Sequence, residues 1–106
     1  MRKLLLLVTV IAAVLVLPAL AAATTKTTSL KDDFFVKSKL TISKGTTVVW
    51  KWKTDDEHTV TEIHGHWGSM TPRTKNTVKH KFTKRGKFTV YCLVHPTIMR
   101  QKIVVK

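Results

Sequence analysis

A chain of 106 residues has room for a single small domain, and its one cysteine excludes an intrachain disulfide. Its 19 Lys and Arg against 6 Asp and Glu give a formal net charge of +13, which favours contact with acidic proteins or anionic surfaces. A domain of this size buries only about two-thirds of the surface of its unfolded chain, so without a disulfide it needs another source of stability.

The first 23 residues have the layout of a secretory signal peptide. A basic head precedes the apolar run Leu4–Leu20, which ends in a proline and small residues. We predict cleavage after Ala21 or Ala23, and therefore an exported protein that works in the periplasm or elsewhere outside the cytoplasm. The alternative is a retained membrane anchor, because the apolar stretch to Ala23 is about 20 residues, long enough to span a bilayer.

The polar segment Thr24–Thr28 is predicted to be a linker or a frayed start of the folded domain, residues 24–106. Only Arg2 and Lys3, of the 19 basic residues, precede it, so the domain keeps a net charge of +11. The clearest strand is Thr46–Lys53, in which Val48, Trp50 and Trp52 alternate onto one face.

Further strands are predicted at Leu40–Ile42, Thr77–Phe82, Lys87–Cys92 and Gln101–Lys106, and His64–Asn76 is predicted to be a long surface loop. No segment after residue 23 has helical spacing over about ten residues. About six to eight short strands separated by turns predict an all-β domain, an antiparallel β-sandwich.

A group of soft and borderline metal ligands follows the strand Lys87–Cys92. Cys92 is expected to point inward at the strand's end, and His95 and Met99 follow in a short loop stiffened by Pro96. A second imidazole, His58, lies at another strand end. One Cys, two His and one Met form the ligand set of a blue-copper electron-transfer site, and metal binding also accounts for a lone Cys in an exported chain.

The order of these motifs resembles that of the cupredoxins, the small blue-copper proteins that include plastocyanin, amicyanin and pseudoazurin. A Gly-Thr-Thr-Val-Val-Trp strand (residues 45–50) precedes His58-Thr59-Val60, and Gly-Lys-Phe-Thr-Val-Tyr-Cys (residues 86–92) precedes His95 and Met99. The resemblance runs from about Leu30 to Lys106. It implies a Greek-key β-sandwich that holds one copper ion through His58, Cys92 and His95, with Met99 as a weak axial ligand.

The resemblance also implies how electrons leave the site and where this chain departs from the family. His95 is expected to reach the surface among Pro96, Ile98 and Trp67. Thr59 stands where family members often carry an Asn that ties the ligand loops together, and its hydroxyl is expected to do part of that task. The spacing from His95 to Met99 lies between those of the amicyanin and plastocyanin loops, which bears on the axial distance.

These features predict a small electron carrier, cycling between Cu(I) and Cu(II), and not an enzyme. Its expected partners are acidic redox proteins. We also expect the protein to be attracted to an anionic envelope surface, to bind no nucleic acid and to be a monomer. The alternative function is copper binding or delivery through the same ligands. Zinc is the rival metal, disfavoured by the thioether of Met99, and a Cys–His catalytic pair would need a base and an oxyanion site that the sequence does not supply.

The remaining histidines are weaker candidates. His64 and His66 are interpreted as part of a polar loop, with a secondary or loading site for copper as the alternative. His80 is in register with Val78 and Phe82, so it is expected to be partly inward and not a ligand.

Overall fold

The computed structural model describes residues 8–13 and 24–106. Most of the predicted signal segment, residues 1–23, therefore lies outside the described residues, and its export and cleavage stay predictions. Residues 8–13 have no regular secondary structure. Within the part of the chain that is described, no helix is long and apolar enough to cross a membrane.

Two four-stranded sheets pack face to face, which confirms the all-β sandwich. The strands are β1 (Thr25–Lys31), β2 (Phe34–Phe35), β3 (Lys39–Ile42), β4 (Thr47–Trp52), β5 (Thr61–Glu62), β6 (Thr77–Lys81), β7 (Gly86–Tyr91) and β8 (Arg100–Val105). The first sheet has the order β2-β1-β4-β6 and the second the order β3-β8-β7-β5. Non-consecutive neighbours in both sheets show that the chain crosses between them.

The sandwich is mixed, because two strand pairs are parallel: β1 with β4 and β3 with β8. The prediction that Thr24–Thr28 is a linker or frayed start is wrong, since Thr25–Thr28 pairs in register with Thr47–Trp50. The β-branched threonines suit a strand, and the neighbouring Leu30 is fully buried in the core. Burial of Leu30 thus fixes β1 against β4.

Strand β4 supplies much of the core, as its alternation predicts. Val48, Trp50 and Trp52 are buried, while Lys51 is exposed. The indole N–H of Trp50 donates to Oε1 of Gln101 at 2.8 Å, and the amide of Gln101 donates to the carbonyl of Lys37 at 2.8 Å. This fully satisfied polar pair links the two sheets, with Trp50 in the first and Gln101 in the second.

An aromatic cluster packs against the core from the long loop. The ring of Trp67 stacks on His80 with centroids 3.8 Å apart and also packs on Trp50 and Phe82. The expectation that His80 is partly inward is confirmed, and burial lowers its pKa below the usual value. We expected Trp67 beside His95, but its ring belongs to this cluster.

Candidate metal centre

Three of the predicted ligands converge at one end of the sandwich. One donor atom from each of His58, Cys92 and His95 lies within 4.8 Å of the other two. The Sγ of Cys92 is 3.8 Å from Nδ1 of His58. The side chains of His58 and Cys92 are fully buried, whereas that of His95 keeps 27% of its surface exposed.

Backbone hydrogen bonds hold the loop that carries two of these donors. Cys92 follows the last residue of β7, and its N–H donates to the carbonyl of Met99 at 3.0 Å. The N–H of Met99 donates to the carbonyl of His95 at 3.1 Å, so the loop closes on itself. Met99 is fully buried there. Its role as an axial ligand stays a prediction.

His58 is held separately, by the loop that follows β4. It forms an isolated antiparallel bridge with Arg73, in which each backbone N–H donates to the other's carbonyl, at 2.9 and 3.2 Å. The carbonyl of His58 also accepts the indole N–H of Trp52 at 3.1 Å. The backbone of His58 is therefore held by β4 and by the long loop that contains Arg73.

Thr59 joins the two predicted ligand segments, as the resemblance to the cupredoxins implies. Its N–H donates to the Sγ of Cys92 at 3.4 Å, and its hydroxyl oxygen accepts the N–H of Leu93 at 2.9 Å. The same hydroxyl lies 2.9 Å from the hydroxyl of Thr61, which donates to the carbonyl of Ser69 at 2.6 Å. A buried chain of hydrogen bonds thus ties the ligand segments to the long loop.

We expect Thr59→Val to lower the free energy of unfolding of the metal-free protein by about 1–3 kcal/mol. The substitution keeps the shape of the side chain but leaves the partly buried N–H of Leu93 without an acceptor. Urea unfolding measures the effect. Thr59→Ser is the matched control, because it keeps the hydroxyl. An unchanged stability in Thr59→Val together with a loss in Thr59→Ser would show that the methyl group, and not the hydroxyl, carries the stabilisation.

Two aspartates that the sequence analysis did not single out contact the outer nitrogens of both imidazoles. Asp32 and Asp33 connect β1 to β2. Nε2 of His58 is 3.0 Å from Oδ1 of Asp32, and Nε2 of His95 is 3.2 Å from Oδ1 of Asp33. Because an ionised carboxylate only accepts hydrogen bonds, Nε2 of His58 carries the proton, and the Asp33 carboxylate favours the same tautomer at His95. The sequence signal that could have indicated these residues is a pair of consecutive acidic residues in a strongly basic domain.

The inner nitrogen of His95 is the unusual polar atom of the site. Among the described residues, Nδ1 of His95 is buried without a hydrogen-bond partner. A neutral imidazole that carries its proton on Nε2 presents a lone pair at Nδ1, which is the form that binds a metal. A metal ion next to Cys92 would satisfy this atom, so the residues present fit such an ion.

The site's electrostatics favour a thiolate. Burial alone would raise the pKa of Cys92, but hydrogen bonds from the Thr59 N–H, contact with the His58 ring and hydrogen bonds from the N–H groups of Val94 and His95 lower that pKa to about 7. Burial alone would lower the pKa of His58, but its hydrogen bonds to Asp32 and Cys92 raise that pKa above the usual value. The thiolate is the form of cysteine that binds metals.

His64 and His66 lie outside this centre. Their rings are 5.8 Å apart on the exposed loop, and the buried carboxylate of Glu62 accepts the N–H groups of both residues. The structure therefore brings together three of the four predicted ligands and buries Met99 beside them, while it leaves this pair apart.

Comparison with solved structures identifies the fold. An oxidized amicyanin variant superposes with a TM-score of 0.68 at 20% identity, covering 83% of this chain and 88% of that chain. A purple cupredoxin from Nitrosopumilus maritimus gives 0.66 at 21% identity, covering 76% of this chain and 99% of that one. A reduced amicyanin variant gives 0.64 at 25% identity, covering 83% and 88%.

The sequence matches no protein-family model, and a search of curated proteins finds no significant match. The chain nevertheless has the cupredoxin fold. Its cluster of His58, Cys92 and His95 fits a type 1 copper site.

Proposed function

We propose that the domain is a type 1 copper protein that works as a small one-electron carrier. The observation that supports this function best is the convergence of one thiol and two imidazoles within 4.8 Å, in a cupredoxin fold. His58, Cys92 and His95 would hold the ion, and Met99 would be a weaker fourth ligand. Copper held there supplies one-electron chemistry between Cu(I) and Cu(II).

The chain's own contribution is a buried and rigid set of donors. The side chains of His58 and Cys92 are buried away from water, and backbone hydrogen bonds within the Cys92–Met99 loop oppose its rearrangement. The bridge to Arg73 fixes His58 from the other side. A cage that hardly moves when the charge of its occupant changes is what fast electron exchange requires.

His95 is the proposed point of electron entry and exit, because it is the one of the three donors with exposed surface. Three apolar residues close to His95 in the sequence also have exposed side chains: Leu93, Val94 and Ile98. An exposed apolar group of this kind suits brief contact with another protein. This surface, and not the bulk of the sandwich, is where we place the redox partner.

The partner is proposed to be an acidic protein, and the carrier to be an exported monomer attracted to anionic envelope surfaces. The net charge of the domain supports long-range steering of this kind. Lys51, Lys79 and Lys81 are exposed on the outer face of β4 and β6, since the strand register places their side chains together. Faster exchange at low ionic strength would support an acidic partner, and faster exchange at high ionic strength would contradict it.

The alternative, a copper-delivery protein, uses the same three donors. The adjacent rings of His64 and His66 favour it as a place where copper first binds. A protein of this kind would hold Cu(I), or pass copper on, without the intense colour of a copper–thiolate site. The two functions therefore differ in a measurable property of the loaded protein.

The visible spectrum of the purified protein after addition of one equivalent of Cu(II) tests the proposal. We expect an intense blue band and reversible one-electron cycling. A His64→Ala/His66→Ala variant is the control, because it removes the exposed imidazoles and leaves the buried centre intact. The electron carrier is rejected if the parent protein stays colourless or holds only Cu(I), and a band lost in the control would assign copper to the loop.

A further inference from the structure

The turn between β1 and β2 places two consecutive carboxylates against the two imidazoles. Lys31 pairs with Phe34, so Asp32 and Asp33 alone make the connection. We propose that this Asp32–Asp33 turn is a positioning element for the metal centre. It holds both rings with the proton on Nε2 and Nδ1 free, and it anchors the exposed His95 ring. The inference rests on the proposed function and deepens it.

The carboxylate of Asp32 is also held by hydrogen bonds other than the one to His58. Its two carboxylate oxygens accept the backbone N–H groups of Asp55 and Asp56, each at 3.1 Å, while Oδ1 also accepts from Nε2 of His58. The loop that leads into His58 therefore holds the carboxylate that orients its ring. His58 cannot rotate without losing this bond in a fully buried site.

Asp33 has the more consequential task, because its partner is the more exposed of the two rings. The side chain of His95 is 27% exposed and that of Asp33 is 56% exposed, and their contact of 3.2 Å spans two segments of the chain. Asp33 adopts φ 68°, a left-handed conformation that few residues other than Gly, Asn and Asp accept. The turn thus keeps an unfavourable backbone conformation in which the carboxylate faces His95.

The chemical consequence concerns the buried Nδ1 of His95, which has no partner among the described residues. Burying such an atom is costly, and a free ring would rotate to place it in water. The Asp33 carboxylate opposes that rotation. A carboxylate on Nε2 also makes the imidazole a stronger donor, which favours the more highly charged Cu(II) over Cu(I).

A merely structural role in the turn is the competing explanation, since exposed ion pairs contribute little to stability. Two variants separate the explanations, and both accept φ 68°. Asp33→Asn keeps an oxygen next to Nε2 of His95 that can accept a hydrogen bond, but it removes the charge. Asp33→Gly removes both. Asp55→Asn is the matched control, because it removes one charge at the same end of the molecule while its backbone N–H still donates to Asp32.

The first readout is the tautomer of each histidine in the metal-free protein at neutral pH, from the nitrogen chemical shifts of the rings. We expect both rings of the parent to carry the proton on Nε2. Asp33→Gly is expected to mix the tautomers of His95 alone, whereas Asp33→Asn and Asp55→Asn retain the parent state. Unchanged His95 shifts in Asp33→Gly, or a parent ring protonated on Nδ1, would overturn the proposal.

The second readout is the copper-loaded protein. Loss of such a supporting contact typically weakens metal affinity by about 10- to 100-fold. A tenfold loss confined to Cu(II) raises a one-electron potential by about 59 mV. We expect this rise in potential in Asp33→Asn and Asp33→Gly but not in Asp55→Asn. Equal rises in all three variants would overturn the proposal, because they would show that Asp33 acts only through its charge at a distance. Because the tautomers are measured without copper, they test the turn even if the visible spectrum rejects the electron carrier.

Discussion

Replacing Cys92 with serine is expected to abolish the intense blue colour of the copper-loaded protein and to weaken copper binding by more than about a hundredfold. The thiolate is the one anionic donor of the cluster, and its pKa of about 7 makes it available at neutral pH. A serine hydroxyl stays protonated there and cannot replace it. The visible spectrum and a copper titration measure both effects.

The same substitution should leave the metal-free fold intact, which makes the result interpretable. Cys92 is fully buried, but a hydroxyl at its position can still accept the N–H of Thr59. Copper at a hundredfold excess over its dissociation constant should stabilise the parent by about 2.7 kcal/mol and the variant far less. Urea unfolding with and without copper shows the difference.

Met99→Leu is the matched control for that experiment. It replaces a fully buried thioether with an apolar side chain of similar volume and leaves the three convergent donors in place. We expect it to retain copper. A blue band in Cys92→Ser, or its loss in Met99→Leu with equal loss of copper, would contradict the assignment of Cys92 as the central donor.

The sequence alone predicts the parts of the site that depend on local pattern. The alternation of Phe88, Val90 and Cys92 along one strand places the thiol inward, and His95 lies only four positions after the last residue of β7. The chemistry of the donors then selects the metal. His58 is the distant predicted ligand, and the motif order of the resemblance supplied it.

The features that the sequence did not predict all depend on long-range pairing. Thr25–Thr28 has no apolar alternation, so nothing local shows that it pairs in parallel with β4. The carboxylates of Asp32 and Asp33 contact rings that lie far along the chain, where periodicity gives no information. Only the assembled sandwich brings that turn to the ligand loop, because the position of the turn depends on the pairing of β1 with β4.

Gly68→Ala is expected to destabilise the metal-free protein by about 3 kcal/mol or more, the largest effect on stability that we foresee away from the core. Gly68 has φ 105°, and a Cβ there would lie 2.3 Å from the carbonyl oxygen of Val60 and 3.1 Å from Cα of Thr61. Both contacts are with backbone atoms that cannot rotate away. The long loop would have to leave β5 to relieve them.

That displacement would reach the candidate metal centre, because Gly68 lies between two hydrogen bonds to the segment that follows His58. The N–H of Glu62 donates to Trp67 and the N–H of Ser69 donates to Val60. Gly45→Ala separates the clash from backbone strain: its φ is 91°, but a Cβ there meets nothing within 4 Å. We expect the free energy of unfolding of the control to fall by only about 1–2 kcal/mol in urea. Equal losses in the two variants would contradict the close approach of Gly68 to the backbone of Val60 and Thr61.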